Sequence, residues 1–173
     1  DATFKTGEIF LNSTNTIAAA FGPFNKTAPD SSNITLGTDG SVNGSSDTYV
    51  CYAFAEVQGY SKFGSYEANA SADGPFIYTG FKPAWILFKN IDNANNWVLH
   101  DNKRGAFNVN DEQLSANNGN AEATDSAKMD FLSNGFKIRV DGQGVNNSGH
   151  TIIYMAFAEH PFVSSRGVPV TAR

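Results

Sequence analysis

Asp47-Thr48-Tyr49-Val50-Cys51-Tyr52-Ala53-Phe54-Ala55-Glu56 returns as His150-Thr151-Ile152-Ile153-Tyr154-Met155-Ala156-Phe157-Ala158-Glu159, at a constant offset of 103 residues. At the same offset Val42-Asn43 meets Val145-Asn146, Ser45 meets Ser148, Leu11 meets Leu114 and Phe4 meets Phe107. Asp39-Gly40 meets Asp141-Gly142 only after a one-residue shift. A period this long exceeds the roughly 20 to 50 residues of solenoid repeats, so the pattern predicts a duplicated domain rather than an open array. Carried back to Asp1, the offset lands on Arg104, and nothing before Phe4 corresponds to the apolar runs Pro83 to Lys89 and Trp97 to His100. The expected organisation is a partial first repeat over 1–60, a complete second repeat over 61–163 and a C-terminal tail over 164–173. On this reading Asp1 is a boundary within a longer precursor, and the first repeat needs its core covered by a neighbouring subunit, the favoured candidate, by an upstream segment, or by the C-terminal tail Val163 to Arg173.

In a strand, Tyr49, Cys51, Ala53 and Ala55 share one face, with Val50, Tyr52, Phe54 and Glu56 on the other. Both faces are apolar until the final Glu, which predicts a central strand covered on both sides. Cys51 and Tyr154, equivalent at the offset, are expected to face inward and lie buried. Ile34 to Leu36, Phe76 to Tyr78, Ala84 to Lys89, Trp97 to His100 and Phe136 to Val140 read as further strands, rich in β-branched and aromatic residues and bounded by Gly, Pro, Asn or Asp. Asp39-Gly40 and Asp141-Gly142 each follow a strand and precede the repeated one, which reads as a hairpin occurring twice. Gln113 to Met129 fits either a helix or an ordered loop. The fold class is all-β: an antiparallel β-sandwich, jelly-roll-like, built from the duplication with its truncated first copy.

Composition agrees. Of 173 residues only 17% are charged, against about 25% in typical globular chains. Nineteen asparagines and 16 glycines favour turns over helices. The net charge is −5, and no cationic cluster exceeds Lys103-Arg104, which argues against a nucleic-acid surface. No stretch approaches the roughly 18 apolar residues of a membrane span. Cys51 is the single cysteine, so an internal disulfide is excluded.

Chemistry-bearing motifs are sparse. His100, His150 and His160 lack metal-ligand spacing, and there is no nucleophile elbow or P-loop. No catalytic residue, metal or cofactor is expected. Glu56 and Glu159 occupy equivalent strand ends, where a carboxylate pair for glycoside hydrolysis competes with a structural role as hydrogen-bond acceptors inherited by both copies; the structural role is the expectation. The oxygen-rich loops Asp39 to Asp47 and Asp141 to Gly149 read as turns rather than Ca²⁺ sites. N-x-S/T sequons at Asn12, Asn25, Asn33, Asn43, Asn69 and Asn146 follow from the abundance of Asn, Ser and Thr. The ligand-binding candidates are Trp97 with Asn95 and Asn96, because sugars are held by a flat ring plus amide hydrogen bonds, and Tyr66 as a further aromatic. Burial of Trp97 as a core anchor is the competing reading.

Val57-Gln58-Gly59-Tyr60-Ser61-Lys62-Phe63-Gly64-Ser65-Tyr66, Asp73-Gly74-Pro75-Phe76-Ile77-Tyr78-Thr79-Gly80-Phe81-Lys82-Pro83-Ala84-Trp85, Asp130-Phe131-Leu132-Ser133-Asn134-Gly135-Phe136-Lys137 and Ile153 to Phe162 together resemble the C-terminal duplicated β domain of virion proteins from tailed, particularly marine, phages. The resemblance covers nearly the whole chain. It implies a virion location and a tail-fibre, receptor-binding or adhesion role, with no enzyme activity. The partners it implies are other copies of the chain, other virion proteins and a host surface glycan, without nucleic acid or membrane insertion. A capsid-decorating or filament-forming subunit is the first alternative, and a polysaccharide depolymerase the second.

Overall fold

Ala84-Trp85-Ile86-Leu87-Phe88 is apolar at every position, so neither face of a strand built from it suits water. It lies accordingly in the middle of a sheet. The computed structural model describes residues 7–18 and 22–165. Its elements in chain order are α1 (Gly40–Asn43), β1 (Ser61–Glu67), β2 (Phe76–Tyr78), β3 (Pro83–Asn90), β4 (Val98–Asp101), β5 (Leu114–Ser115), β6 (Met129–Leu132), β7 (Gly135–Ile138) and β8 (Thr151–Ala158). Two compact units emerge: Asp1–Phe10 with Ile17–Phe54, and Leu11–Thr16 with Ala55–Arg173.

The larger unit is an all-β sandwich of two antiparallel sheets, ordered β1-β8-β3-β4-β5 and β2-β7-β6. β8 is central, with Ile152, Tyr154 and Ala156 directed into the core and the alternate residues half-buried. Its register sets Tyr154 opposite Gly64 on one side and Phe88 on the other. Gly64 leaves room for that ring: a Cβ there would stand 3.0 Å from the Tyr154 hydroxyl, so any larger residue obliges the ring to shift. Phe136 of the smaller sheet fills the space between the layers, edge-on to Tyr154 at 5.3 Å and to Phe88 at 5.4 Å. Edge-to-face pairs add about 0.5–1.5 kcal/mol each beyond the area they bury. Lys89 is fully enclosed. Its ammonium donates to the carbonyls of Thr14 (3.1 Å), Asn90 (2.8 Å) and Asn95 (3.0 Å), which replace the water it lost.

β2, β3, β4, β7 and β8 stand where the sequence pattern predicts strands. β1 and β6 are additional; β1 carries Gly64, two serines and a lysine, a composition without strand signal. Gln113 to Met129 forms no helix: it supplies β5, a bridge between Gln113 and Ala123 and the start of β6.

The first copy departs from expectation. Tyr49 to Glu56 is not a strand and Ile34 to Leu36 is not one either. Cys51 is exposed, not buried as its equivalence to Tyr154 predicts. Among the described residues the two copies therefore do not form equivalent β domains. The physical reason lies in partnership: β8 is held by β1 and β3, whereas no described strand pairs with Tyr49 to Glu56. The expected hairpins fail as well. β7 and β8 belong to different sheets, so the chain between them crosses from one layer to the other. Phe4 and most of the expected tail, from residue 166 onward, lie outside the described residues.

What the two copies share is a turn. Val42 and Asn43 donate their backbone N–H to Asp39 O, and Val145 and Asn146 donate theirs to Gly142 O. Asp47 N bonds Gly44 O as His150 N bonds Asn147 O. The Asn43 amide donates to Gly37 O at 2.8 Å, and the Asn146 amide to Val140 O at 2.7 Å. Every one of these partners is related by the offset of 103. Repetition is thus retained through residues 37–47 and 140–150, and lost where the second copy enters β8. In the smaller unit this turn contains α1, capped by the Asp39 carboxylate at 2.8 Å from Ser41 N.

Candidate functional site

Residues 57–60 form a tight turn, with Gly59 at φ 72° and the N–H groups of Tyr60 and Ser61 both bonded to Val57 O at 2.9 Å. Opposite it, Thr79 and Gly80 donate backbone N–H to Asn134 O at 3.0 and 3.2 Å, and the Thr79 hydroxyl donates to Phe81 O at 2.6 Å. Gly80 sits at φ +83°, where a side chain is strained. These two turns enclose a cleft of about 370 Å³ within the larger unit, in the range of small-ligand sites.

Its lining includes Glu56, Gln58, Lys62, Tyr78 and Thr79. Tyr78 ends β2, which among the described residues pairs with β7 alone and lies at the edge of its sheet. Ile77 points into the core from the same strand, so alternation turns Tyr78 outward, and it remains 64% exposed. The Glu56 carboxylate pairs with Lys62 at 2.9 Å and accepts Phe63 N at 3.3 Å. Their charges offset one another, and the cleft also holds two rings, Tyr78 exposed and Phe81 buried, the Gln58 side chain, and the Ser61 and Thr79 hydroxyls, which donate to Ala55 O and Phe81 O. Close by, the Tyr154 phenol is pushed up to about 12, first by burial and then by the Glu56 charge, so it stays protonated. An exposed ring such as Tyr78 stacks on apolar faces, and carboxylate and ammonium groups exchange hydrogen bonds with hydroxyls, the chemistry that a neutral polyhydroxylated ligand offers.

Glu159, the counterpart of Glu56, pairs with Lys82 at 2.7 Å and Lys103 at 3.3 Å. The Lys82 hydrogen bond, with help from Lys103, holds its carboxyl below the ordinary glutamate range despite partial burial. Both glutamates are therefore tied to lysines at the ends of their segments, each as a hydrogen-bond acceptor.

The residues singled out in the sequence fall elsewhere. Tyr66 is buried in β1, its hydroxyl donating to Val145 O at 2.7 Å, and burial raises its pKa well above the usual phenol value. Trp97 is buried beside β4, its backbone N–H donating to Asn117 Oδ1 at 2.8 Å. Asn96 Oδ1 accepts from the Asn117 and Asn118 amides at 2.9 and 3.3 Å, and Asn95 lends its carbonyl to Lys89. Asn95, Asn96 and Trp97 thus come together with Asn117 as loop scaffolding, while Tyr66 serves the core. The cleft residues carried no signal of their own in the sequence, beyond the outward position of Tyr78 in an alternating strand. Among the described residues no group of three His, Cys, Asp or Glu could hold a metal, and no helix is long and apolar enough to cross a membrane. Asn146, one of the six sequon positions, is fully buried.

A family model described as Domain of unknown function (DUF7483) matches residues 2–161. No curated protein and no solved structure matches the chain.

Proposed function

The chain belongs to this family, and we propose that it is a host-contacting β-sandwich of a phage virion protein, a tail-fibre or adhesion domain whose cleft takes a neutral sugar of a surface glycan. The cleft between residues 56–62 and 78–81 carries the reading, because it places an exposed tyrosine beside an amide and a self-neutralised ion pair on a rigid β scaffold. The virion setting rests on the resemblance of residues 57–66, 73–85, 130–137 and 153–162 to phage virion proteins. One shallow sugar contact is weak, and a fibre presenting many copies gains avidity from repetition.

The test is an array of neutral and acidic bacterial surface polysaccharides probed with the multimerised chain. Binding to neutral polysaccharides, weakened about tenfold by Tyr78→Ala, is expected, since a stacked ring contributes on the order of 1–2 kcal/mol. Equal binding by parent and Tyr78→Ala, or binding to none of the array, would overturn it. Release of reducing sugar would replace adhesion with depolymerisation. A second reading, a capsid-decorating or filament-forming subunit, is favoured by the apolar residues exposed between Tyr49 and Phe54.

A further inference from the structure

In β2 only Ile77 turns inward, so Phe76 and Tyr78 share the outer face of the smaller sheet, 47% and 64% exposed. Residues so placed on a strand stand about 6.7 Å apart, comparable with the length of one pyranose unit. A glycine lies beside each ring. Phe76 leans over Gly135, the β7 residue opposite Tyr78, where a Cβ would stand 3.1 Å from the Phe76 ring. Tyr78 leans toward Gly80, where a Cβ would stand 3.6 Å from its hydroxyl. Both rings therefore tilt toward the C-terminal end of β2, where the cleft begins. We propose that β2 is the platform of an extended neutral glycan, with Tyr78 stacked on the unit that enters the cleft and Phe76 on the next unit outward.

This rests on the sugar reading of the cleft, and two further observations extend it along the strand. The first is the open edge of β2. On the β7 side, Ile138 N donates to Pro75 O at 3.1 Å and Thr79 N to Asn134 O at 3.0 Å, so the inner ladder uses the backbone of residues 75, 77 and 79. The N–H and C=O groups of Phe76 and Tyr78 consequently face the other way, and among the described residues nothing bonds to them. Each ring is thus accompanied by a donor and an acceptor within reach of sugar hydroxyls. A peptide strand would also use such an edge, but β2 has three residues, against about 5–6 in an ordinary strand, which leaves a peptide few bonds to make. The second observation is charge. Lys137, opposite Phe76, pairs with Asp73 at 2.8 Å and donates to Gly74 O at 2.9 Å. Asp130, opposite Lys137 on β6, is held by Arg139. The ions beside the rings are committed to one another, as Glu56 and Lys62 are in the cleft. A neutral chain of two or more sugars meets rings, backbone groups and paired charges along the whole track, whereas a single sugar uses only its inner end.

The test uses the full chain and the neutral polysaccharides of the array, cut by partial acid hydrolysis and sized into fractions from single sugars to short oligomers, with Kd measured by ligand-observed NMR. In the parent, Kd should fall about tenfold from the single sugar to fragments long enough to reach both rings, as one further stacked ring supplies. Phe76→Ala should cut that gain to below about twofold. Phe76→Leu, which keeps apolar bulk without a flat ring, should do the same, and Phe76→Tyr should retain the gain. Tyr78→Ala should weaken binding at every length. A parent without a gain in affinity with length, or a gain that survives both Phe76→Ala and Phe76→Leu, overturns the platform, and a continued loss in Tyr78→Ala would then leave the cleft reading standing. Indifference to Tyr78→Ala, no binding of any fraction, or capture of extended peptides at β2 in their place overturns both.

Discussion

Replacing Lys89 by Met removes an ammonium but keeps the length and most of the volume of the side chain. In the parent, three carbonyls at 2.8–3.1 Å surround that ammonium, and the residue has no exposed surface. Each hydrogen bond to a charged group contributes about 1.5–3 kcal/mol. Against their sum stands the several kcal/mol that dehydrating an ammonium costs, which Met does not incur. What remains is the penalty of three carbonyls left facing a thioether, and the net loss works out at about 3 kcal/mol. For a chain of this length that corresponds to roughly 6–12 °C in Tm. Thermal unfolding followed by circular dichroism measures it, with Lys62→Met as the comparison; Lys62 holds a partly exposed pair that contributes on the order of 0.5 kcal/mol. Because Thr14 is one of the three acceptors, amide exchange over residues 11–16 should also quicken in Lys89→Met. A variant that melts at or above the parent temperature would refute the reasoning, showing that the carbonyl cradle does not offset the burial of the charge.

Cys51 should react with a thiol reagent at the rate of an accessible cysteine; a thiol that is inert in the folded chain contradicts its exposed position. Asn146→Ala should cost about 2–4 kcal/mol in urea unfolding, because its buried amide serves Asn69, Ser71 and Val140, whereas Asn43→Ala, exposed and bonded to Gly37 alone, should cost under about 0.5. Acid should weaken the fold in two stages. Burial, only partly offset by the Asn110 hydrogen bond, lowers the pKa of His100 from 6.5, so below that pH the unfolded chain takes up a proton that the native chain refuses. Glu159, lowered from 4.5 chiefly by Lys82, contributes stability that is present above that pH and lost as the pH falls through its folded value. Urea midpoints across pH 3–8 for the parent and Glu159→Gln check this: the lower step should shrink in the variant, and an unchanged step would show that the Lys82 and Lys103 pairs contribute nothing.

Apolar runs and turn chemistry in the sequence were enough to place β3, β4, β7 and β8, and with them the sandwich. Runs such as Trp85 to Phe88 leave the chain no polar face, and covering both faces requires a layered β fold. The repeated turn was equally legible, because its hydrogen bonds close within about ten residues and depend on the local positions of Asp, Gly and Asn. Strand formation at Tyr49 to Glu56 was not, although its pattern matches that of β8 residue for residue. A strand's backbone groups are satisfied only by neighbours, and those neighbours come from distant parts of a chain or from another chain. The same dependence hid the cleft, which forms only when residues 56–62 and 78–81 are brought face to face by sheets whose pairing spans the whole larger unit. It also hid the role of Lys89, which the sequence marks only as the last residue of the predicted strand Ala84 to Lys89. Only the packed structure supplies three carbonyls around its ammonium, and without them a lysine in that position belongs in water.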